Sequence, residues 1–142
     1  MKVSEVMTRN VLTVRPDQSA RDAASFMLQA DAGAIPVVDG GRLIGMITDR
    51  DIAVRGIAEG YGPETPVREL MTNDIVTARI EDDIDDVAVR MSEAQVRRLP
   101  VIDDQQKLCG IVSLADLTQR ADTSDAEQAL EGVSQRGGRH QQ

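Results

Sequence analysis

The stretch GMITDRD at residues 45–51 returns as GIVSLAD at residues 110–116, and this repetition decides how the chain is organised. Each copy holds a glycine, two apolar residues, a hydroxyl residue and a closing aspartate. The sequence upstream repeats as well, because AIPVVD at residues 34–39 matches RLPVID at residues 98–103, and an M-T pair opens both copies. A repeat of this length predicts two copies of one supersecondary unit, neither able to bury its apolar face alone.

The apolar pattern within each copy predicts a β-α-β-β-α unit, so the expected fold class is α/β (α+β). Two β-rich runs joined by turn residues predict a hairpin, and a second helix should begin at Thr48 or Ser113. An edge strand, VLTV or IVTA, should precede the first helix of each copy. Spacing at i, i+3, i+4 and i+7 predicts that first helix and places its methionines in the core. Its apolar positions are Ala20, Ala23, Ala24 and Met27 in one copy and Ile84, Val87, Ala88 and Met91 in the other.

The predicted boundaries follow the repeats. Residues 1–56 form the first repeat and residues 67–121 the second. Residues 57–66 form the connector, because the segment around them is rich in glycine and proline. Residues 122–142 are expected to form a short helix followed by a frayed tail.

Composition excludes several classes of partner. The net charge of -8, with one tyrosine, one phenylalanine and no tryptophan, argues against nucleic-acid binding. No apolar run is long enough to span a membrane, and the N-terminus has no secretion signal. The single cysteine, Cys109, lies in a strand-like run, which favours a small buried hydrophobe in a reducing compartment. We therefore expect a cytoplasmic protein.

Metal and catalytic sites have little support in the sequence. The acidic run EDDIDD at residues 81–86 lacks the pattern of a calcium loop and opens a helix, where carboxylates are favourable. The only histidine, His140, lies in the tail, so neither a histidine-cysteine zinc site nor a histidine-based triad can be built. With no plausible nucleophile-base pair, the chain is not expected to be an enzyme.

The repeated T/S-x-x-D motif has two interpretations. A hydroxyl followed three residues later by a carboxylate, just after a strand, is typical of a capping box that starts a helix. The same geometry suits an adenosine ligand, because a helix N-terminus attracts phosphate and a first-turn aspartate can accept from ribose hydroxyls. Gly45 and Gly110 are expected to let such a ligand approach the strand closely.

The chain resembles tandem cystathionine β-synthase (CBS) domains over roughly residues 1–121. The M-T opening, the apolar-Pro-Val strand and the G-h-h-[ST]-x-x-D motif occur in this order in both halves. The resemblance implies two repeats packed as one pseudo-twofold module, with clefts that in many members bind AMP, ATP, S-adenosylmethionine or NAD(H). The connector is similar to that of stand-alone bacterial members of the stress or hypoxia response.

The resemblance also implies the residues of the nucleotide-binding site. Asp51 and Asp116 would hold ribose hydroxyls, and Thr48 and Ser113 would contact ribose or phosphate. The other implied residues are Met46, Ile111, Ile35 and Leu99 around the adenine, Ala34, Pro36 and Pro100 nearby, and Arg98, Arg97 and Arg50 toward the phosphate. The first half carries Gly33 and Ala34 where the second carries two arginines, so its phosphate-binding pattern is incomplete.

The leading hypothesis is a regulatory module that senses an adenosine nucleotide and signals to an unknown partner protein. Such a module requires no cofactor for catalysis, and the nucleotide would act as a regulatory ligand. The resemblance further implies a homodimer formed through an apolar helical face. The alternative is a dimeric scaffold or interaction protein of the stress response, with empty clefts and motifs that act only as helix caps.

Overall fold

The computed structural model describes residues 1–118. Its contacts divide this part of the chain into two compact units, one formed by Leu12–Ile75 and the other by Met1–Val11 together with residues 76–118. The helix and tail predicted for residues 122–142 lie outside the described residues. None of the described helices is long and apolar enough to cross a bilayer.

The unit of residues 12–75 contains one α-helix and one hairpin, followed by shorter helical segments. In chain order its elements are helix α1 (Ala20–Ala30), strands β1 (Ala34–Asp39) and β2 (Arg42–Thr48), a π-helix (Asp51–Gly56) and two 3-10 helices (Ile57–Glu59 and Val67–Glu69). β1 and β2 pair antiparallel, as predicted. Gly40 and Gly41 form the turn with positive φ angles of 60° and 85°, which glycine adopts without steric cost.

Helix α1 forms at the predicted position. Ser19 caps it by accepting a hydrogen bond from the Asp22 amide, and the Asp22 carboxylate accepts one from the Ser19 amide. Ala20, Ala23 and Met27 are buried, which confirms the core position of this methionine. The fourth predicted position, Ala24, is exposed, because it lies at the edge of the buried stripe and lines an open apolar groove.

The other unit repeats this plan with a three-stranded sheet. Its elements are a 3-10 helix (Val3–Glu5), strand β3 (Ala78–Arg79), helix α2 (Ile84–Ala94), strands β4 (Arg98–Ile102) and β5 (Leu108–Ser113), and helix α3 (Leu114–Thr118). The strand order is β3-β4-β5, with β3 parallel to β4 and β4 antiparallel to β5. Asp83 caps α2, so the acidic run starts a helix as the sequence analysis favoured.

The edge strand predicted before the first helix of each repeat is shorter than expected. In the second repeat it reduces to the two residues of β3. In the first repeat only Val14 forms a bridge, with its amide donating to the Pro36 carbonyl and its carbonyl accepting from the Val38 amide. Pro16, two residues later, has no amide proton, so the ladder cannot extend and the chain turns.

The opening segment of each repeat packs in the unit that holds the hairpin of the other repeat. Val3 and Met7 are buried in the core cluster that contains Leu99. Val67 and Leu70 are buried in the cluster that contains Ile35. The predicted boundaries 1–56 and 67–121 thus follow the repeats in sequence, whereas the compact units exchange their opening segments.

Candidate functional site

Each repeated motif lies where a strand ends and a helix begins. The Thr48 amide donates to Asp51 Oδ2 at 3.0 Å, and the Asp51 amide donates to Thr48 Oγ1 at 3.0 Å. In the other unit the Ser113 amide donates to Asp116 Oδ2 at 2.9 Å, and the Asp116 amide donates to Ser113 Oγ at 3.1 Å. Both motifs are therefore complete capping boxes. Capping and ligand binding are compatible, because Oδ1 of each aspartate lies outside the box.

The two aspartates differ in what surrounds Oδ1. Asp51 is only 8% exposed, and its Oδ1 lies 3.5 Å from Thr72 Oγ1 and 3.9 Å from Arg55 Nη1. That guanidinium also donates to the carbonyls of Leu70 and Met71 at 3.1 and 3.0 Å.

Asp116 is half-buried, and its Oδ1 has no hydrogen-bond partner within residues 1–118. The second carboxylate is therefore the more available acceptor.

The glycine of each motif makes room for the protein's own backbone. A Cβ at Gly45 would lie 2.6 Å from the Thr72 carbonyl oxygen, and one at Gly110 would lie 2.5 Å from that of Thr8. The expectation that these glycines admit a ligand is therefore wrong. The M-T segments take this space instead. Thr72 pairs with Met46 of β2, and Thr8 pairs with Ile111 of β5, each through its backbone amide and carbonyl.

These pairings bring two threonines to the motifs that the sequence analysis did not single out. Thr72 lies beside Asp51 through the contact between Thr72 Oγ1 and Asp51 Oδ1. Thr8 exchanges backbone hydrogen bonds with Ile111, two residues before Ser113. The repeated M-T pair was the sequence signal for these threonines. The strand with which each pair forms hydrogen bonds could not be predicted from its position in the chain.

Strand register places most of the predicted ligand residues on one face of each hairpin. Cross-strand partners share a face because side chains alternate along a strand. The partners are Ala34 with Thr48 and Pro36 with Met46 in one unit, and Arg98 with Ser113 and Pro100 with Ile111 in the other. The backbone thus assembles two matching sets of residues next to Asp51 and Asp116, of which Ala34, Pro36 and Pro100 are buried.

Ile35 and Leu99 lie on the opposite faces. Each is 2% exposed, and each pairs with a buried residue, Ile47 or Val112, inside a core cluster. Their side chains cannot wall an adenine, and this part of the expectation is corrected. The five apolar residues at 34–38 show no alternation, so the sequence pattern could not tell the two faces apart.

Charge distinguishes the two surfaces. Arg97 and Arg98 are exposed beside Ser113, and neither guanidinium has an ion-pair partner among residues 1–118. At the corresponding place in the other unit, Gly33 lies under the carboxylate of Asp49.

Arg50, the cation predicted for that side, is exposed, and its amide donates to Asp49 Oδ1 at 2.8 Å. The first surface therefore presents one acid and one base where the second presents two bases.

Two groups away from the motifs have a pKa shifted by their surroundings. Burial raises the pKa of Asp82, but hydrogen bonds from the Arg79 amide and the Arg90 guanidinium outweigh it and hold that pKa below its ordinary value. Cys109 is half-buried against the core, and burial raises the pKa of its thiol. In the described part of the chain, no three or more His, Cys, Asp or Glu side chains are grouped to hold a metal ion.

Two α+β units, each ending its hairpin in a capped hydroxyl-aspartate turn, define a protein of duplicated domains. The CBS domain model matches residues 3–55 and 67–123, so the chain belongs to the CBS domain family. The match confirms the resemblance inferred from the repeated motifs.

Two bacterial relatives match most of the chain. CBS domain-containing protein YhcV of Bacillus subtilis is 44% identical over 133 residues, which cover 93% of this chain and 94% of YhcV. Hypoxic response protein 1 of Mycobacterium tuberculosis is 38% identical over 117 residues, 81% of either chain. Both matches extend over the two repeats and are consistent with a stand-alone tandem pair.

Solved structures share the fold. A structure of Hypoxic Response Protein I with two coordinated zinc ions aligns with a TM-score of 0.78 at 35% identity, covering 86% of this chain and 100% of that one. The CBS domain pair of MJ0100, in complex with 5′-methylthioadenosine and S-adenosyl-L-methionine, gives 0.72 at 29%, covering 84% and 94%. CBSX2 in complex with AMP gives 0.73 at 28%, covering 83% and 93%. Structural neighbours of this chain therefore bind adenosine compounds.

Proposed function

We propose that this chain is a regulatory module that binds an adenosine nucleotide or derivative at its hydroxyl-aspartate turns and signals to a partner protein. The observation that carries the proposal is the turn at Ser113 and Asp116. It offers an acceptor oxygen with no hydrogen-bond partner in residues 1–118, and Arg98, the cross-strand partner of Ser113, is exposed and has no ion-pair partner in the same residues. The complexes of MJ0100 and CBSX2 with adenosine compounds support the ligand class.

The proposed chemistry follows from the groups on this surface. Asp116 Oδ1 accepts hydrogen bonds from the ribose hydroxyls, while its Oδ2 continues to accept from the Ser113 amide. Arg98, opposite Ser113 in the hairpin, forms a charge-assisted hydrogen bond with a phosphate. Ile111 lies half-buried on that face, over the buried Pro100, and provides apolar surface for the adenine.

The first test measures thermal stability against AMP, ATP, S-adenosylmethionine and NAD. A ligand at a hundred times its dissociation constant stabilises the folded state by about 2.7 kcal/mol, which for a chain of this size raises Tm by about 5–10 °C. If none of these compounds shifts Tm, the result favours the alternative of a scaffold or interaction protein with empty clefts. The capping boxes, both complete without a ligand, would then serve a scaffold protein.

The two turns are proposed to bind phosphorylated adenosine unequally. A charge-assisted contact contributes about 1.5–3 kcal/mol, so Arg98→Ala should weaken AMP binding by about tenfold to a hundredfold in titration calorimetry. Asp116→Ala should abolish the tight event, and Arg68→Ala, a change at another exposed arginine, is the control. Loss of the tight event in Asp51→Ala, with Asp116→Ala and Arg98→Ala unaffected, would assign it to the first turn instead.

We also propose that the chain forms a homodimer through the helical face of the unit 12–75. An apolar groove of about 340 Å³ opens there between α1, the π-helix and the connector. Two of its lining residues, Ile57 and Tyr61, are 71% and 46% exposed, which leaves apolar surface for a second copy to cover. The groove is lined by Ala20, Arg21, Ala24, Ile52, Gly56, Ile57, Tyr61, Gly62, Pro63 and Leu70.

Light scattering at micromolar concentration tests the dimer. The wild-type chain should have twice its formula mass of 15.4 kDa, and Ile57→Asp should shift it to the monomer. Val76→Asp places the same charge on an exposed apolar residue of the other unit and should leave the mass unchanged. A monomeric wild-type chain contradicts the proposal.

Signalling completes the proposed role. A ligand that binds one arrangement of the module better than another changes the affinity for a partner by the same coupling free energy. We propose a regulatory role without a catalytic step, because the family model that matches both repeats is that of the CBS domain. The proposed location is the cytoplasm, which the lone cysteine favours.

A further inference from the structure

Helix α1 carries a large apolar side chain on its solvent face. Leu28 is 84% exposed, more than any other large apolar residue among residues 1–118. An α-helix advances about 100° and about 1.5 Å per residue, so the direction of Leu28 around α1 lies between those of Ala24 and Arg21. Ala24 and Arg21 both line the apolar groove of this unit. The groove and the most exposed apolar side chain therefore share one face of α1.

Small residues on this face leave a space that residues 1–118 do not fill. The groove has a volume of about 340 Å³, and Ala20, Ala24 and Gly56 line it with no more than a methyl group each. Ala24 is exposed, although its place in the apolar pattern of α1 predicts burial. An apolar helix position left uncovered beside an open groove is typical of an interaction surface.

The equivalent face of the other unit is closed by its own helix. Ala88, the residue equivalent to Ala24, is fully buried in the core cluster that includes Leu114 and Leu117 of α3. The position equivalent to Leu28 is occupied by the polar residue Ser92. Among residues 1–118, the combination of an uncovered alanine and an exposed leucine on this helix face thus belongs to the unit 12–75 alone.

We infer that α1 packs antiparallel against α1 of a second copy, with Ala24 at the twofold axis and Leu28 of each copy in the groove of the other. A twofold interface uses the same patch on both copies, so a face with both a groove and a protruding side chain complements itself. When Ala24 faces Ala24, Leu28 meets the groove residue Ala20, because each lies four positions from the axis. The two alanines let the helix axes approach closely. This inference rests on the proposed homodimer and adds the helix and the side chain that form it.

Cysteine cross-linking of the full chain tests the position of the axis. In a Cys109→Ser background, Ala24→Cys should give a disulfide-linked dimer on mild oxidation. A disulfide needs Cα atoms within about 7 Å, and only residues near a twofold axis lie so close to their own copies. Gln29→Cys, also exposed but about 140° around α1 from Ala24, is the control and should not cross-link.

Truncation of Leu28 tests the contact itself. Leu28→Ala should raise the dimer dissociation constant about a hundredfold or more in sedimentation, because each dimer loses two buried leucine side chains. Alanine favours the helix, so the variant should keep its circular dichroism spectrum. Val76→Ala, at an exposed apolar residue of the other unit, is the control and should leave the dissociation constant unchanged.

The outcomes separate this arrangement from the homodimer as such. If the chain is dimeric but Leu28→Ala leaves the dissociation constant unchanged, or Ala24→Cys fails to cross-link, the inference is overturned and the homodimer stands. Cross-linking of Gln29→Cys as readily as Ala24→Cys also overturns it. If the wild-type chain is monomeric at micromolar concentration, the proposed homodimer fails, and the packing of α1 against its copy fails with it.

Discussion

At the scale of single residues, Gly45 and Gly110 are the described glycines at which an added side chain would come closest to another atom of its unit. The atom that a Cβ would meet is a backbone carbonyl oxygen of the M-T segment, at 2.6 Å for Gly45 and 2.5 Å for Gly110. That carbonyl also accepts a hydrogen bond from β2 or β5, so it cannot move away without breaking the pairing. These glycines therefore serve the fold, although they stand inside the motif that points to a ligand.

Gly110→Ala should destabilise the protein by about 1–3 kcal/mol, the usual cost of forcing an atom into a packed site. Urea denaturation followed by circular dichroism measures it. Gly62→Ala is the matched control, because no atom lies within 4 Å of a Cβ there and its φ is not positive. Equal stabilities for the two variants would show that the M-T segment shifts at no cost.

The capping aspartates should differ in their effect on stability. Asp51→Ala removes a buried cap that also approaches Thr72 and Arg55, whereas Asp116→Ala removes a half-buried one. Loss of a cap costs about 0.5–2 kcal/mol, and we expect Asp51→Ala at the upper end of this range and Asp116→Ala at the lower. Thermal melting without ligand ranks them, and the reverse order contradicts this account.

At the scale of elements, the short strand β3 depends on side chains to hold it. The Arg90 guanidinium on α2 donates to the Thr77 carbonyl at 3.0 Å and to Asp82 Oδ2 at 2.9 Å, and the Arg79 amide donates to the same oxygen at 2.9 Å. A strand of two residues has too few ladder bonds for stability of its own. The Asp82 carboxylate thus ties β3 to α2.

Asp82 should contribute to stability only while it is ionised. Its pKa lies below the ordinary value, so its contribution is fully present above about pH 4 and is lost as pH falls through the lower folded pKa. Asp82→Asn should lower Tm at pH 7, and the difference from wild type should shrink toward pH 3. Asp17→Asn, at a solvated surface pair, is the control. A Tm difference that stays constant with pH would rule out this role.

At the scale of the whole molecule, each compact unit combines the hairpin of one repeat with the opening segment of the other. Val3 and Val67 are equivalent residues of the two repeats, and both are fully buried. Val3 packs in the cluster of the second hairpin, and Val67 packs in that of the first. Neither repeat can complete its hairpin core with its own opening segment.

Val3→Ala and Val67→Ala should therefore loosen opposite units. Each removes about 2 kcal/mol of buried apolar surface and packing. Hydrogen exchange should quicken mainly in residues 98–113 for Val3→Ala and mainly in residues 34–48 for Val67→Ala. Each variant serves as the control for the other. Faster exchange of residues 34–48 in Val3→Ala would contradict the exchanged arrangement.

The sequence by itself determined the duplication, α1 and α2, both hairpins and the capped turns at Thr48 and Ser113. These features depend on residues a few positions apart, where helical spacing, turn residues and hydroxyl-carboxylate pairs have a local physical meaning.

Only the tertiary structure decided that Thr8 pairs with Ile111, that Ile35 and Leu99 face the core, and that Asp49 lies over Gly33. The pairing joins residues far apart in the chain, and its partner is chosen by packing. The continuous apolar run at residues 34–38 carries no alternation to mark its inner face. The position of Asp49 depends on how the end of β2 returns to the start of β1, which no spacing of residue types reveals.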